Sequence, residues 1–150
     1  MNSGRIEVSR RIRASASDLF WAWIDPDELA LWWCREGPGW DFVSASVDPR
    51  VGGAFRLAMR GPSGRTHVAI GRYKEMVPDV RLVFSWDWEG DLDRMGETQV
   101  TVTFTTAGDS CTDIHIIHEG FAVQTERAGG HGDGWSELLN RMKTLKENSR

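Results

Sequence analysis

An α+β domain, with one curved antiparallel sheet of about seven strands closing on a C-terminal helix, is the fold class that three features of this 150-residue sequence predict. Breakers recur at short, regular intervals: Gly37 to Gly39, Asp48 to Gly53, Gly61 to Gly64, Pro78 to Asp79, Gly90 to Gly96 and Ala107 to Ser110. The segments between them mostly alternate apolar and polar residues, the period of half-buried strands joined as hairpins. Two helix-capping signatures follow the first strand, and one long apolar stripe of helical spacing ends the chain.

The first strand is expected from Ile6 to Ile12. "SASD", from Ser15 to Asp18, then has capping-box form, and Ala16, Leu19, Phe20, Trp23 and Ile24 follow helical spacing. "DPDE" restarts the chain at once, with Asp25 as N-cap, Pro26 at the first helical position and Glu28 reaching back, so a bent helix pair is expected. Strands are then read from Trp40 to Val47, over "AFRLAM" with Phe55, Leu57 and Met59 alternating against Arg56, and from about Arg65 to Met76. "VRLVFSWDW" places Leu82, Phe84, Trp86 and Trp88 on one face. "QVTVTFTT" opposes Val100, Val102 and Phe104 to threonines, and "CTDIHIIH" lines up Thr112, Ile114, Ile116 and His118. After "GHGDG", Asp133 can cap a last helix with Trp135, Leu138, Leu139, Met142 and Leu145 as its apolar stripe.

A chain of this length makes one domain with one core, able to stand without disulfides. The formal net charge is -4, and the nearest approach to a basic cluster is Arg10, Arg11 and Arg13, so nucleic acid is not an expected partner. Cys34 and Cys111 lie far apart, "MNSGRIEVSRRIRAS" has no apolar leader core, and no apolar run reaches the roughly 20 residues of a membrane span. A cytoplasmic protein with free thiols and no membrane span is expected.

"LFWAWIDPDELALWW", "DPRVGGAFRLAMRGPSG", "IGRYKEMVPDVRLVFSWDW", "VTVTF", "HIIHEGF" and "GWSELLNRM" together resemble homologues of the C-terminal domain of the activator of the ninety-kilodalton heat-shock chaperone's ATPase. That group lies in the START and birch-pollen-allergen-like (SRPBCC) superfamily. The resemblance covers nearly the whole chain and implies the helix-grip fold. It also implies a pocket rather than a particular reaction, because the superfamily spans carriers, receptors, cyclases and aromatases.

With that fold, a small hydrophobic or aromatic ligand is expected between sheet and terminal helix, bound by Trp33, Phe55, Trp86, Trp88, His118 and Trp135. Trp86 and Trp88 present two indole planes to one face. His118, polar at the end of an inward face, must find a hydrogen bond from a ligand, a water or a neighbouring strand. Of Trp32 and Trp33, adjacent on a helix, only one is expected to point inward. Two other classes are carried alongside: a module that contacts a chaperone through an exposed patch, and a cyclase or hydrolase using His118 with Glu75 or Glu119. No catalytic residue is assigned. No cofactor is expected, and no metal, since His118, Glu119, His131 and Asp133 offer no close-set ligand pair on one element. Cys34 precedes Arg35, which could lower its thiol pKa, but nothing resembles a nucleophile elbow. Arg56 and Arg72 are read as solvent-facing. A monomer or homodimer is expected.

Overall fold

The protein is described by a computed structural model over residues 4–35, 37–90, 94–121 and 126–148, the side chains of 126–130 excepted. The residues 1–3 of the N-terminal segment and 91–93 of the Gly90–Gly96 breaker lie outside the described residues. The elements run β1 (Gly4–Ile12), α1 (Ala16–Ile24), α2 (Pro26–Trp32), β2 (Asp41–Val47), β3 (Ala54–Arg60), β4 (Thr66–Val77), β5 (Arg81–Trp88), β6 (Thr98–Ala107), β7 (Cys111–Phe121) and α3 (Glu126–Asn148). The strands form one antiparallel sheet in the order β1-β7-β6-β5-β4-β3-β2. Consecutive strands from β2 to β7 are hairpin neighbours, while β1 leaves the meander and pairs with β7. The helix pair carries the chain from one edge of the sheet to the other.

Local chemistry sets the helix boundaries. The Ser15 hydroxyl accepts from the Asp18 amide at 3.1 Å and opens α1. Asp25 serves two helices at once: its backbone N–H closes α1 on the Trp21 carbonyl, and its carboxylate accepts from the Glu28 amide at 3.1 Å to open α2. Leu19, Phe20, Trp23 and Ile24 of α1 are buried, as are Leu29 and Trp32 of α2. The Trp32 indole donates to the Ala22 carbonyl at 2.9 Å, which locks the bend between the helices.

Two expectations are corrected. Trp32 and Trp33 are both buried, because α2 ends at Trp32: Trp33 has φ -88° and ψ 78°, so the helical rule that adjacent residues diverge no longer holds there. Asp133 is no cap either. It is exposed within α3, which begins at Glu126 and includes the glycine-rich stretch. Each glycine disfavours a helix by about 1 kcal/mol, but Gly132 sits where a Cβ would lie 3.2 Å from the Ile6 side chain. The small residue lets α3 lie close against β1, and packing outweighs propensity.

The register of β4 on β5 shifts between Tyr73 and Glu75. Between the Ile70–Asp87 and Tyr73–Phe84 pairs the β4/β5 ladder is interrupted, and the Arg72 amide donates to the Ser85 hydroxyl at 2.9 Å in place of a strand carbonyl. Gly71 occupies this gap, where an added Cβ would collide with the Ser85 carbonyl and the Phe55 ring. Gly71→Ala should therefore destabilise the protein by about 3 kcal/mol, at the top of the usual overpacking range. Gly64→Ala, in open space at φ +86°, should lose only about 1–2 kcal/mol through left-handed backbone strain. Chemical denaturation of the two variants measures the difference, and equal losses would refute the collision.

Candidate functional site

The concave face of the sheet and α3 leave a cleft of about 220 Å³, walled by Trp33, Met59, Trp86, Trp88, Trp135 and Leu138, with Arg35, His131 and Gly134 completing it. Each wall has a local cause. The non-helical end of α2 turns Trp33 inward, alternation along β3 and β5 supplies Met59, Trp86 and Trp88, and the helical repeat supplies Gly134, Trp135 and Leu138. Gly134 has nothing within 4 Å of where a Cβ would stand, so this face of α3 stays open. Behind the cleft lies a smaller hollow of about 20 Å³, lined by Trp23, Leu29, Trp33, Phe55, Leu57, Tyr73, Phe84, Trp86 and Trp135. Trp33, Trp86 and Trp135 are common to both spaces. Their rings pack at centroid separations of 6.3 Å for Trp33–Trp86 and 5.1 Å for Trp86–Trp135.

Of the residues expected to touch ligand, Trp33, Trp86, Trp88 and Trp135 line the cleft, and Phe55 lines the hollow behind it. His118 lines neither space. It is fully buried, 6.0 Å from Trp86 and 6.2 Å from Trp135 between ring centroids. Its hydrogen bonds are determined by elimination. The Trp135 indole can only donate, so Nδ1 of His118 accepts at 3.0 Å. The Thr98 hydroxyl gives its single proton to the Trp86 carbonyl at 2.8 Å, so its oxygen accepts from Nε2–H of His118 at 2.7 Å. The imidazole is thus neutral, protonated on Nε2, and has no lone pair left for a substrate. Glu75 is held by Arg81 at 2.7 Å, and Glu119, next to His118 on β7, points to the opposite face of the strand.

Arg35, Met59, His131, Gly134 and Leu138 join the cleft without having been singled out as ligand residues. Met59 and Leu138 were legible as inward positions. Arg35 lies in irregular chain, where no periodicity marks it; it pairs with Glu137 at 3.1 Å and stacks over Trp40 at 5.6 Å. His131 accepts from the Trp88 indole at 2.8 Å, a bond made possible by the unexpected helix start. Cys34 is a buried free thiol whose pKa is pushed up by burial, the opposite of activation by Arg35. Among the described residues no three His, Cys, Asp or Glu side chains converge as a metal site requires, and no helix is long and apolar enough to cross a membrane.

Six of the eight indoles fall into two groups. Trp32, Trp88 and Trp135 donate to Ala22, His131 and His118. Trp23, Trp33 and Trp86 are buried with no acceptor among the described residues; a donor left unpaired in this way costs about 1–3 kcal/mol. A second groove, of about 470 Å³, lies over Gly71, Arg72, Ser85 and Asp87. Its charged groups are already engaged: Arg56 with Glu89, Arg72 with the Gly52 carbonyl, Asp87 with the amides of Trp88 and Met95, and Glu97 with Lys74.

The family model described as Activator of Hsp90 ATPase homolog 1-like protein matches residues 13–147. Among solved structures, a Chromobacterium violaceum protein is 26% identical, with 96% of this chain and 97% of that one covered at a TM-score of 0.83. A Rhizobium loti protein is 26% identical over 95% of this chain and 96% of its own, with a TM-score of 0.78. A Silicibacter pomeroyi protein that carries the AHSA1 name is 21% identical over 97% of this chain and 99% of its own, at 0.83, a likeness of fold alone. Among curated proteins none matches the chain.

Burial, and after it the neighbouring His131, push the His118 pKa down from 6.5 to about 3. Between those values the unfolded chain binds a proton at this position that the folded chain does not. The contribution of His118 to stability is therefore complete above pH 6.5 and is lost as pH falls toward 3, with a slope approaching about 1.4 kcal/mol per pH unit. Urea denaturation between pH 7 and 4 should show this slope, and His118→Gln, which keeps an acceptor and a donor, should flatten the curve relative to wild type. An unchanged slope in the variant would refute the assignment.

Proposed function

The chain belongs to the Activator of Hsp90 ATPase homolog 1-like family, of helix-grip-like α+β fold, and on that premise we propose that it is a small hydrophobic-ligand-binding protein acting through the cleft between sheet and α3. The observation that carries this reading is the lining: four indoles, Trp33, Trp86, Trp88 and Trp135, with Met59 and Leu138, surround about 220 Å³ of space. Ligand sites are concave and mostly apolar with a few placed polar groups, and here Arg35 and His131 are those groups. The volume lies below the roughly 300 Å³ at which drug-sized pockets begin, so the fitting molecule is small and flat. Phe55 supports the wall from behind.

A second reading, contact with a chaperone, is favoured by a separate observation. Trp21 on α1 and Leu31 on α2 are 55% and 53% exposed, and large apolar side chains of this kind are enriched where proteins meet. The enzyme reading has less support, since His118 has both nitrogens engaged and Glu75 is tied to Arg81.

Native mass spectrometry of the purified protein, with a denaturing run beside it, tests the main reading by seeking a non-covalent adduct. Trp88→Ala should weaken binding of a naphthalene-based fluorescent probe by about tenfold, roughly 1.4 kcal/mol, while unfolding stays cooperative because Trp88 is only half-buried. Probe affinity that survives the substitution would place the site elsewhere. Chaperone capture that survives Trp88→Ala but is lost in Leu31→Ser would favour the second reading.

A further inference from the structure

The three buried indoles without an acceptor, Trp23, Trp33 and Trp86, all line the inner hollow. Proteins seldom leave such donors unpaired, and the three side chains that carry them border one space. Trp33 and Trp86 also belong to the wall shared with the outer cleft, so an oxygen at the inner end of a cleft-bound molecule arrives beside them. Among the described residues no Lys, Arg, His, Asp or Glu lines the hollow. A carboxylate placed there would lose its hydration with no cation to replace it. A carbonyl oxygen, neutral and able to accept two hydrogen bonds, suffers no such loss.

Resting on the ligand-binding reading above, we infer that the ligand is a flat apolar molecule whose inner end carries a neutral carbonyl oxygen, which accepts from the indole N–H groups of Trp33 and Trp86. Its apolar body lies against Met59, Trp88 and Leu138. Both nitrogens are closed to solvent in the structure, so the carbonyl reaches them as the two rings part. Arg35 and His131, at the outer cleft, face the opposite end of the molecule and select nothing at the carbonyl.

Three naphthalenes of near-equal shape test the inference: acetylnaphthalene, its isopropenyl isostere, and naphthoate. Each is titrated into the protein with its indole N–H signals followed by NMR. The ketone should bind about tenfold more tightly than the isopropenyl compound, as one good hydrogen bond to an otherwise unpaired donor implies. It alone should move the Trp33 and Trp86 signals downfield. In Trp33→Phe and in Trp86→Phe, which keep a ring and remove one of the two donors, its advantage should shrink, and the wild-type signals decide the matter if either variant fails to fold. Equal affinities with unmoved signals would overturn the inference while leaving the cleft a binding site, the result expected if buried water already holds these donors. Tighter binding of naphthoate, lost in Arg35→Met, would overturn it in favour of an anion held at the mouth. Failure of all three to bind the wild type would overturn it together with the ligand-binding reading.

Discussion

The bond from the Trp135 indole to Nδ1 of His118 ties the long helix to the sheet inside the core, and the Trp88–His131 bond makes a second tie at the cleft. Apolar packing alone would let a helix slide or roll on a curved surface, because burial has no direction. An indole that must find an acceptor inside an apolar core has one place to go. The imidazole it meets is fixed in turn by the Thr98 hydroxyl and, through it, by the Trp86 carbonyl. The chain of donors thus runs from α3 through β7 to β6 and β5. The position of Trp135, and with it the width of the cleft, follows from this relay.

The same relay explains why the most chemically suggestive side chain of the sequence takes no direct part in the cleft. A histidine at the end of an inward face could serve a ligand or serve the fold. Here the fold takes both nitrogens. What the cleft retains is an aromatic wall with the polar groups Arg35 and His131 beside it.

Much of this was legible in the sequence. Capping chemistry marked both short helices, since Ser15 and Asp25 can act only through nearby amides, and alternation marked several of the strands and the inward face that carries Trp86 and Trp88. What escaped the reading depended on long-range packing. The start of α3 was hidden because glycines argue against a helix, and only the approach to Ile6 shows why Gly132 belongs there. The joint burial of Trp32 and Trp33 turned on the residue at which α2 ends. Arg35 had no periodic neighbour to mark it, and the occupation of His118 required knowing that Trp135 and Thr98, 17 and 20 residues away in sequence, would meet it.

The pairing of β1 with β7 sets a timetable for the chain. Ile12 lies opposite Thr112, about a hundred residues later, and β1 also packs against α3, which follows later still. At a synthesis rate of roughly 5–20 residues per second, the first strand waits on the order of 5–20 seconds on the ribosome before its partner is made. During that interval Ile6, Val8 and Ile12 have neither strand nor helix to cover them. The later-made β7 and α3 therefore shelter the earlier-made β1, and a ribosome that stalls before β7 leaves an apolar edge exposed to whatever binds nascent chains.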